Sequence, residues 1–323
     1  MALQRRRRLR RGSAKARLGP RLLCALLNVM SAVCQIRWSA LTVLALVATM
    51  LAFACDGRSA ERPDGTTTGG GGIEVRSLKV MSVNIYLGGK KDQPGLEGIA
   101  CYLSNADVAF LQEVDKAGAE VLARKSGLEN FRFAKDQGMR VGEYGVATLS
   151  RFPLEAMEVY TLPGTPQGYD VILRTDARIW GRSVTLINAF YPAGYDEEGR
   201  RGRLEASQMV VDLLDRTEGP VVLGGDLNAG GRSPEVARLA AEMTDSWEAA
   251  PEDRYHCEKP FGRIDYVFFR GPFVVQDYRA PCWPLEKGDL PERPKPGCSL
   301  QGAWLSDHPF LTAELEMQRA SST

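Results

Sequence analysis

Short apolar runs alternate with helical patterns along the chain from residue 77 onward. Leu96, Ile99, Ala100 and Leu103 recur at helical spacing, and residues 200–216 form the clearest amphipathic helix. The pattern predicts further helices at 116–126 and 233–243, and strands at 78–87, 107–114, 131–136, 144–154, 157–162, 169–176, 183–192, 220–228, 263–269 and 273–279, with a closing strand after Asp307. Because several central strands follow one another directly, we expect a mixed α/β body with antiparallel hairpins.

The first 55 residues carry the pattern of a targeting segment. A basic stretch precedes the 15-residue apolar run 40–54, which suits a signal peptide and is short for a membrane span of about 20 residues. The run "LAFAC" ending at Cys55 resembles a bacterial lipobox, although its leucine stands one place too early. We therefore expect an exported lipoprotein, lipidated at Cys55 and held on the periplasmic or cell-surface side of a membrane. Secretion after cleavage and an uncleaved anchor are the alternatives.

The chain beyond Cys55 is acidic. Residues 1–55 hold ten Lys or Arg and no Asp or Glu, so the remaining residues hold 31 basic against 40 acidic side chains. Such a body gains no long-range attraction to nucleic acid. Residues 56–76 are polar and glycine-rich, as in a flexible linker, and precede a predicted catalytic domain at 77–318 and a short tail at 319–323.

Four cysteines stand in the predicted domain, at Cys101, Cys257, Cys282 and Cys298. Cys282 and Cys298 bracket a proline-rich loop, and a disulfide between them would staple that loop in an exported protein. The cysteines and the two histidines do not have the spacing of a zinc site.

Polar side chains end or interrupt the apolar runs at recurring places, namely Asn84, Glu113, Asp226, Asn228, Asp265, Asp307 and His308. Taken singly, each has a structural explanation, such as an Asx turn at Asp226 or a helix cap at Glu113. Taken together they indicate a site, because buried charges are costly unless they are paired or bound to metal. Loops at strand ends are also where functional sites assemble.

The chemistry of this set is metal-assisted hydrolysis at phosphorus. Carboxylate and amide oxygens suit Mg²⁺ or Mn²⁺. A carboxylate such as Asp226 can orient or deprotonate water, and an imidazole such as His308 can bond a phosphoryl oxygen. The sequence has neither the GxSxG motif of serine hydrolases nor the GxxxxGK[ST] loop of nucleoside triphosphatases.

Six segments, "VMSVNIYL", "VAFLQEV", "YGVATLSRFPL", "VVLGGDLNA", "RIDYVFF" and "LSDHPF", resemble in order and spacing the endonuclease/exonuclease/phosphatase superfamily. The resemblance covers residues 77–318. It implies a four-layer α/β/β/α sandwich of two mixed, largely antiparallel sheets flanked by helices. It also implies a site with Mg²⁺ or Mn²⁺ at Asn84, Glu113 and Asp307, and with catalytic Asp226, Asn228, Asp265 and His308.

The sequence departs from this pattern at Phe190, where most branches of the family carry a histidine that contacts the phosphate or the leaving group. Tyr191, Arg151 and Arg140 are candidate substrate contacts that would replace it. Side chains alternate along a strand, so Tyr191 is expected to point away from the face of Phe190 unless the turn at Pro192 redirects it.

The expected function is therefore an exported, lipid-anchored, metal-dependent phosphoesterase that acts as a monomer. Its substrate is a phosphodiester, either nucleic acid, a phospholipid head group or a small phosphate ester, and the acidic body does not favour nucleic acid. One alternative is a catalytically weak or inactive binding protein at the membrane surface, which Phe190 supports. The other is a secreted nuclease.

Overall fold

The computed structural model describes residues 76–89, 95–136, 143–161, 171–257, 262–282 and 305–318. Cys55, Arg140 and Cys298 lie outside these residues, as do the predicted leader, the linker up to residue 75 and the tail. Within the described part of the chain, no helix is both long enough and apolar enough to cross a membrane.

The described strands and helices match the predicted alternation. The strands are β1 Arg76–Asn84, β2 Val108–Asp115, β3 Asn130–Lys135, β4 Tyr144–Ser150, β5 Leu154–Thr161, β6 Val171–Ile179, β7 Arg182–Phe190, β8 Val221–Asp226, β9 Thr244–Asp245, β10 Tyr255–His256, β11 Asp265–Arg270, β12 Phe273–Ala280 and β13 Leu311–Met317. The helices are α1 Gly95–Leu103, α2 Lys116–Ser126, α3 Glu197–Asp215, α4 Pro234–Ala240 and α5 Ser246–Ala249.

Two mixed sheets contain these strands. The seven-stranded sheet has the order β10-β12-β13-β1-β2-β4-β3, and the six-stranded sheet has the order β5-β6-β7-β8-β11-β9. Most neighbouring pairs are antiparallel, whereas β1 pairs in parallel with β2, and β7 with β8. These two parallel pairs are joined through helices, as long parallel crossovers usually are. The two-residue strand β10 also pairs in parallel, with β12, and the chain between them forms β11 of the other sheet.

Three apolar clusters show that the sheets stack face to face with helices outside. Leu78 and Phe110 of one sheet pack against Leu186 of the other in the central cluster. A second cluster joins α1 and α2 to the seven-stranded sheet, and a third joins α3 and α4 to the six-stranded sheet. The predicted four-layer α/β/β/α sandwich is therefore confirmed.

The two sheets approach each other closely at Gly224 in β8. A Cβ atom added there would overlap the buried ring of Phe110 on the facing sheet. Glycine therefore lets the sheets approach each other two residues before Asp226, on the same face of β8, so that this carboxylate faces the opposite sheet near its edge.

The disulfide differs from the predicted pair. Cys257 is bonded to Cys282, with their Cα atoms 5.3 Å apart, so the predicted bridge between Cys282 and Cys298 is wrong. The short strand β10 pairs in parallel with β12, and the Cys257 N–H donates to the Ala280 carbonyl at 2.9 Å, which brings Cys257 beside Cys282. Cys101 is disulfide-bonded as well.

Candidate active site

Strand alternation places the polar strand-end residues on one face. In β1, β8 and β11 the side chains that share a face with Asn84, Asp226 and Asp265 belong to the cluster between the sheets, and these three side chains are almost fully buried. The strands end at the same edge, where Asp265 is directly opposite Asp226 in the β11–β8 ladder. The edge of the sandwich therefore gathers residues that are far apart in sequence.

A left-handed turn after β1 fixes two of the predicted metal ligands. The Tyr86 N–H donates to Asn84 Oδ1 at 3.0 Å, and the Leu87 N–H donates to Glu113 Oε2 at 2.8 Å. Tyr86 and Leu87 have φ values of 51° and 47°, which non-glycine residues rarely adopt. The Ile85 N–H still donates to the Gln112 carbonyl of β2, at 3.1 Å. The strand predicted at 78–87 therefore ends early, because the N–H groups of Tyr86 and Leu87 turn toward side chains rather than toward a neighbouring strand.

Glu113 is presented to the edge by a β-bulge. The register of the β2–β4 pair shifts between Gln112 and Val114, and Glu113 itself has a φ of 56°. A bulge re-aims one side chain at a sheet edge, and positive φ costs a non-glycine residue about 1–3 kcal/mol. The surrounding contacts therefore maintain Glu113 in a strained position, as is common for functional residues.

Asn84 links the carboxylates of Glu113 and Asp226. Its Nδ2 donates to Glu113 Oε1 and to Asp226 Oδ2, both at 3.1 Å. Asn228 is held beside them, since its N–H donates to Asp226 Oδ1 at 2.9 Å and its Nδ2 donates to the Tyr191 carbonyl at 3.0 Å. Four of the predicted residues thus form one continuous hydrogen-bonded group.

His308 joins this group from the other side. Its Nδ1 lies 2.9 Å from Asp265 Oδ2, and its Nε2 lies 3.9 Å from Asp226 Oδ2. Ser306 fixes the backbone here, because its hydroxyl donates to the Asn84 carbonyl at 2.7 Å and accepts from the His308 N–H at 3.1 Å. The imidazole is therefore oriented by a carboxylate and tied to the end of β1.

Burial and mutual attraction set the charges of this group. Burial raises the pKa of Asp226, and the neighbouring His308 opposes that rise. Burial alone would lower the pKa of His308, but Asp265 and Asp226 outweigh it and raise the pKa of the imidazole. His308 is therefore a protonated donor at neutral pH, held between two aspartates.

The sequence matches the model of the Endonuclease/Exonuclease/phosphatase family over residues 81–308, a span that contains every residue of this group. The chain belongs to that family. No curated protein matches it by sequence.

Solved structures of the family have the same fold. The endonuclease/exonuclease/phosphatase from Beutenbergia cavernae superposes with a TM-score of 0.57 at 20% identity, covering 75% of this chain and 72% of that one. Truncated TDP2 of Caenorhabditis elegans gives 0.54 at 23% identity, covering 74% and 97%. TDP2 of D. rerio complexed with single-strand DNA product gives 0.56 at 18% identity, covering 74% and 98%. The family fold is that of a phosphoesterase or nuclease.

Two groups of side chains at this edge are candidates for a divalent metal. Ligand atoms of Asp226, Asp265 and His308 lie within 4.8 Å of one another. The imidazole of this trio already bonds Asp265 through Nδ1 and approaches Asp226 through Nε2, which is the geometry of an imidazole held between two carboxylates. Glu113 and the amide of Asn84 supply the hard oxygen donors that Mg²⁺ and Mn²⁺ take.

Asp307 lies close to this second group. The Ser306 hydroxyl that bonds the Asn84 carbonyl is also 3.5 Å from Asp307 Oδ1. Glu113 and Asp307 are partly exposed, whereas Asn84 is buried. The predicted ligands Asn84, Glu113 and Asp307 therefore fit a divalent cation at an accessible edge.

The structure corrects two predicted substrate contacts. The ring of Tyr191 is buried among the side chains beneath α3, on the outer face of the six-stranded sheet. Arg151 follows β4 and binds Asp107 before β2, with Nε 3.0 Å from Oδ1, at the end of these strands opposite to Glu113. Strand alternation turns Tyr191 to the outer face, and strand direction places Arg151 at the far end of the sheet, so neither side chain reaches the site.

Phe190 occupies the face between the sheets. It is opposite Asp226 in the parallel β7–β8 ladder and is buried against Ala134, Val146, Val171 and Leu173. The position is therefore adjacent to the polar group around Asp226, but it is apolar.

The sequence did not predict three contacts: that of the Leu87 N–H with Glu113, those of the Ser306 hydroxyl, and those of the Arg203 guanidinium in α3 with the Pro192 and Gly194 carbonyls. Ser306 was visible as a neighbour of Asp307 and His308. The other two carry no local sequence signal, because their roles depend on the paths of distant loops.

Proposed function

We propose that this protein is a divalent-metal-dependent phosphodiesterase that cleaves its substrate by attack of water. The observation that carries the proposal is the continuous group from Glu113 through Asn84 to Asp226, with the His308–Asp265 pair across from it. This arrangement places an accessible carboxylate, a buried carboxylate and a protonated imidazole at one sheet edge. Each has a separate part in phosphoryl chemistry.

The roles follow from charge and exposure. Asp226, once ionised, orients and deprotonates the attacking water, and Asn228 is held beside it by its backbone and side chain. His308 donates to a phosphoryl oxygen as negative charge develops there, and Asp265 keeps the ring in place. A divalent cation held by Glu113, Asn84 and Asp307 would polarise a phosphoryl oxygen as a Lewis acid.

A diester is the favoured substrate class. The relative from D. rerio is complexed with a single-strand DNA product, and DNA is a phosphodiester. The excess of acidic over basic residues beyond Cys55 weakens attraction to long nucleic acid. We therefore favour a small phosphate ester or a phospholipid head group over a polymer.

Export and lipid anchoring at Cys55 are part of the proposal. The disulfide between Cys257 and Cys282 supports an oxidising compartment, because disulfides persist there and are rare in the cytosol. The leader supports the anchor through its basic stretch, its apolar run and the lipobox-like segment before Cys55. Mass spectrometry of the mature N-terminus would detect a diacylglyceryl Cys55, and a free N-terminus would contradict anchoring.

The proposal is tested by hydrolysis of bis(p-nitrophenyl) phosphate and p-nitrophenyl phosphate by the purified chain. We expect diester cleavage with Mg²⁺ or Mn²⁺, loss with EDTA, and recovery when either metal is returned. Cleavage of the monoester alone would replace the diesterase with a phosphomonoesterase. No turnover of either ester would favour the inactive binding protein that Phe190 suggests.

A further inference from the structure

The loop between β7 and α3 is clamped by a buried arginine. Arg203 of α3 donates through Nη1 to the carbonyls of Pro192 and Gly194, at 3.1 and 2.6 Å. Its Nε donates at 3.2 Å to Glu235 in α4, and both side chains are nearly inaccessible. A buried charge pair of this kind is costly to break, so the loop has one preferred path.

The same loop is fastened to the catalytic group at its start. The Tyr191 N–H donates to the Asp226 carbonyl at 3.0 Å, and Asn228 donates to the Tyr191 carbonyl at 3.0 Å. At its other end Asp196 caps α3 by accepting from the Gly199 N–H at 2.9 Å. The intervening residues are therefore held at both ends, beside Asp226.

Tyr195 is the exception within this fastened loop. Its side chain is 95% exposed, whereas the next most exposed large apolar or aromatic side chain in the described part of the chain, Val159, is 44% exposed. Tyr195 is four residues from Tyr191, within about 14 Å of it even if the loop were extended. A rigid segment beside the site therefore presents an aromatic ring to solvent.

We propose that Tyr195 is a substrate-contacting residue that stacks on a planar aromatic group of the phosphate ester. This inference rests on the proposed function and adds a substrate class to it. Aromatic side chains bind planar groups through their faces at little cost in conformational entropy. Because contacts at both ends of the loop already fasten the backbone that carries this ring, the loop loses little further freedom when the ring binds.

The charges around Tyr195 favour a small ester. Asp196, Glu197 and Glu198 follow it directly, and Arg200, which pairs with Glu197, and Arg201 come next, so this segment has no excess of positive charge to attract the extended backbone of a polyanion. A compact ester with one planar group, either a nucleoside or an aryl ester, does not depend on such attraction. Both esters carry a planar ring, and pairs of ligands with and without that ring distinguish a nucleobase from an aryl group.

Calorimetric titration of the full-length chain, in mild detergent with Mg²⁺, tests the contact without turnover. Thymidine 3′,5′-bisphosphate is compared with the same sugar bisphosphate lacking the base, and phenyl phosphate with methyl phosphate. We expect Tyr195→Ala to weaken binding of the ring-bearing ligand about tenfold and to leave its partner unchanged. Tyr195→Phe keeps the ring and should bind like the wild type.

If the natural group is a nucleobase, Tyr195→Ala should weaken binding of the thymidine ligand but not of phenyl phosphate. If it is an aryl group, the variant should weaken binding of phenyl phosphate alone. The inference is overturned if wild-type protein binds ring-bearing and ringless ligands equally, or if Tyr195→Ala weakens both equally. Ring-selective binding without metal-dependent cleavage of any ester would remove the proposed function and leave Tyr195 as a binding residue. Metal-dependent cleavage without ring-selective binding would support the proposed function and overturn the role of Tyr195.

Discussion

The two flanks of Asp226 differ in chemistry although both lie between the same two sheets. On one flank His308 lies between Asp265 and Asp226, and every group is ionisable. On the other flank Phe190 shares a cluster with the aliphatic side chains of Ala134, Val146, Val171 and Leu173. The catalytic group is therefore polar on the side of β11 and apolar on the side of β7.

Because of this asymmetry, only one flank of Asp226 can donate hydrogen bonds or protons to a substrate. A phosphoryl group beside Asp226 can receive a charged donor from His308, but Phe190 can neither donate a hydrogen bond nor transfer a proton. In the proposed reaction, transition-state charge is therefore stabilised from the polar flank and from the group around Glu113. Substitutions on the polar flank should cost activity, whereas a polar substitution at Phe190 should add it.

The largest effect is expected at Asp226, where the two flanks meet. Asp226→Asn keeps the shape but removes the carboxylate that activates water, so turnover should fall about 10³-fold. Thermal unfolding should occur at the same or a higher temperature, because a buried charge is removed. Retained turnover in a folded variant would show that Asp226 does not activate the water.

The next effect concerns the metal group. Glu113→Gln removes a charged oxygen ligand, so the dissociation constant for Mn²⁺, measured by electron paramagnetic resonance, should rise at least about tenfold. Glu120→Gln, on the exposed face of α2, is the matched control and should bind Mn²⁺ like the wild type. Equal affinities in all three proteins would place the cation elsewhere.

A smaller effect, in this case a gain in turnover, is expected from a substitution on the apolar flank. Phe190→His places an imidazole opposite Asp226, so diester turnover should rise roughly tenfold, below the full benefit of an optimised acid. Phe190→Leu changes size without adding a donor and should show no gain. If the histidine variant folds and its turnover is unchanged, the position does not face the reacting phosphate.

The smallest effect separates the two histidines of the chain. Burial, with Arg263 nearby, lowers the pKa of His256 to about 4 from its usual 6.5. Between these values the unfolded chain binds more protons than the folded one, so the stability of the folded state rises with pH across that window. His256→Gln should reduce the drop in unfolding temperature between pH 6.5 and 4.5 by roughly 2–4 °C. His308→Gln should not reproduce this change, because the pKa of His308 is raised instead.

The sequence predicted the fold and the centre of the site because both depend on local patterns. Period-two alternation assigns Asn84, Asp226 and Asp265 to the inner face, and each is the first or the last residue of its strand. The same alternation correctly turned Tyr191 outward. Once strands end at one edge, their terminal side chains must meet.

The features that sequence reasoning missed depend on contacts between distant segments. The partner of Cys282 follows from the pairing of β10 with β12, and β10 has only two residues. The end of β1 at Asn84 follows from N–H groups that bond Asn84 and Glu113, in a conformation that propensity disfavours for Tyr86 and Leu87. Arg203 looked like any other basic residue of an amphipathic helix.

The most direct test of the account compares the two histidines as catalysts. With bis(p-nitrophenyl) phosphate and Mg²⁺, His308→Ala should lower turnover about 10²–10³-fold, since it removes the charged donor of the polar flank. His256→Ala removes the contact between its ring and the Tyr278 hydroxyl, outside the catalytic group, and should stay within a few-fold of the wild type. Equal losses in both variants, or full activity in a folded His308→Ala protein, would contradict a site built around the His308–Asp265 pair.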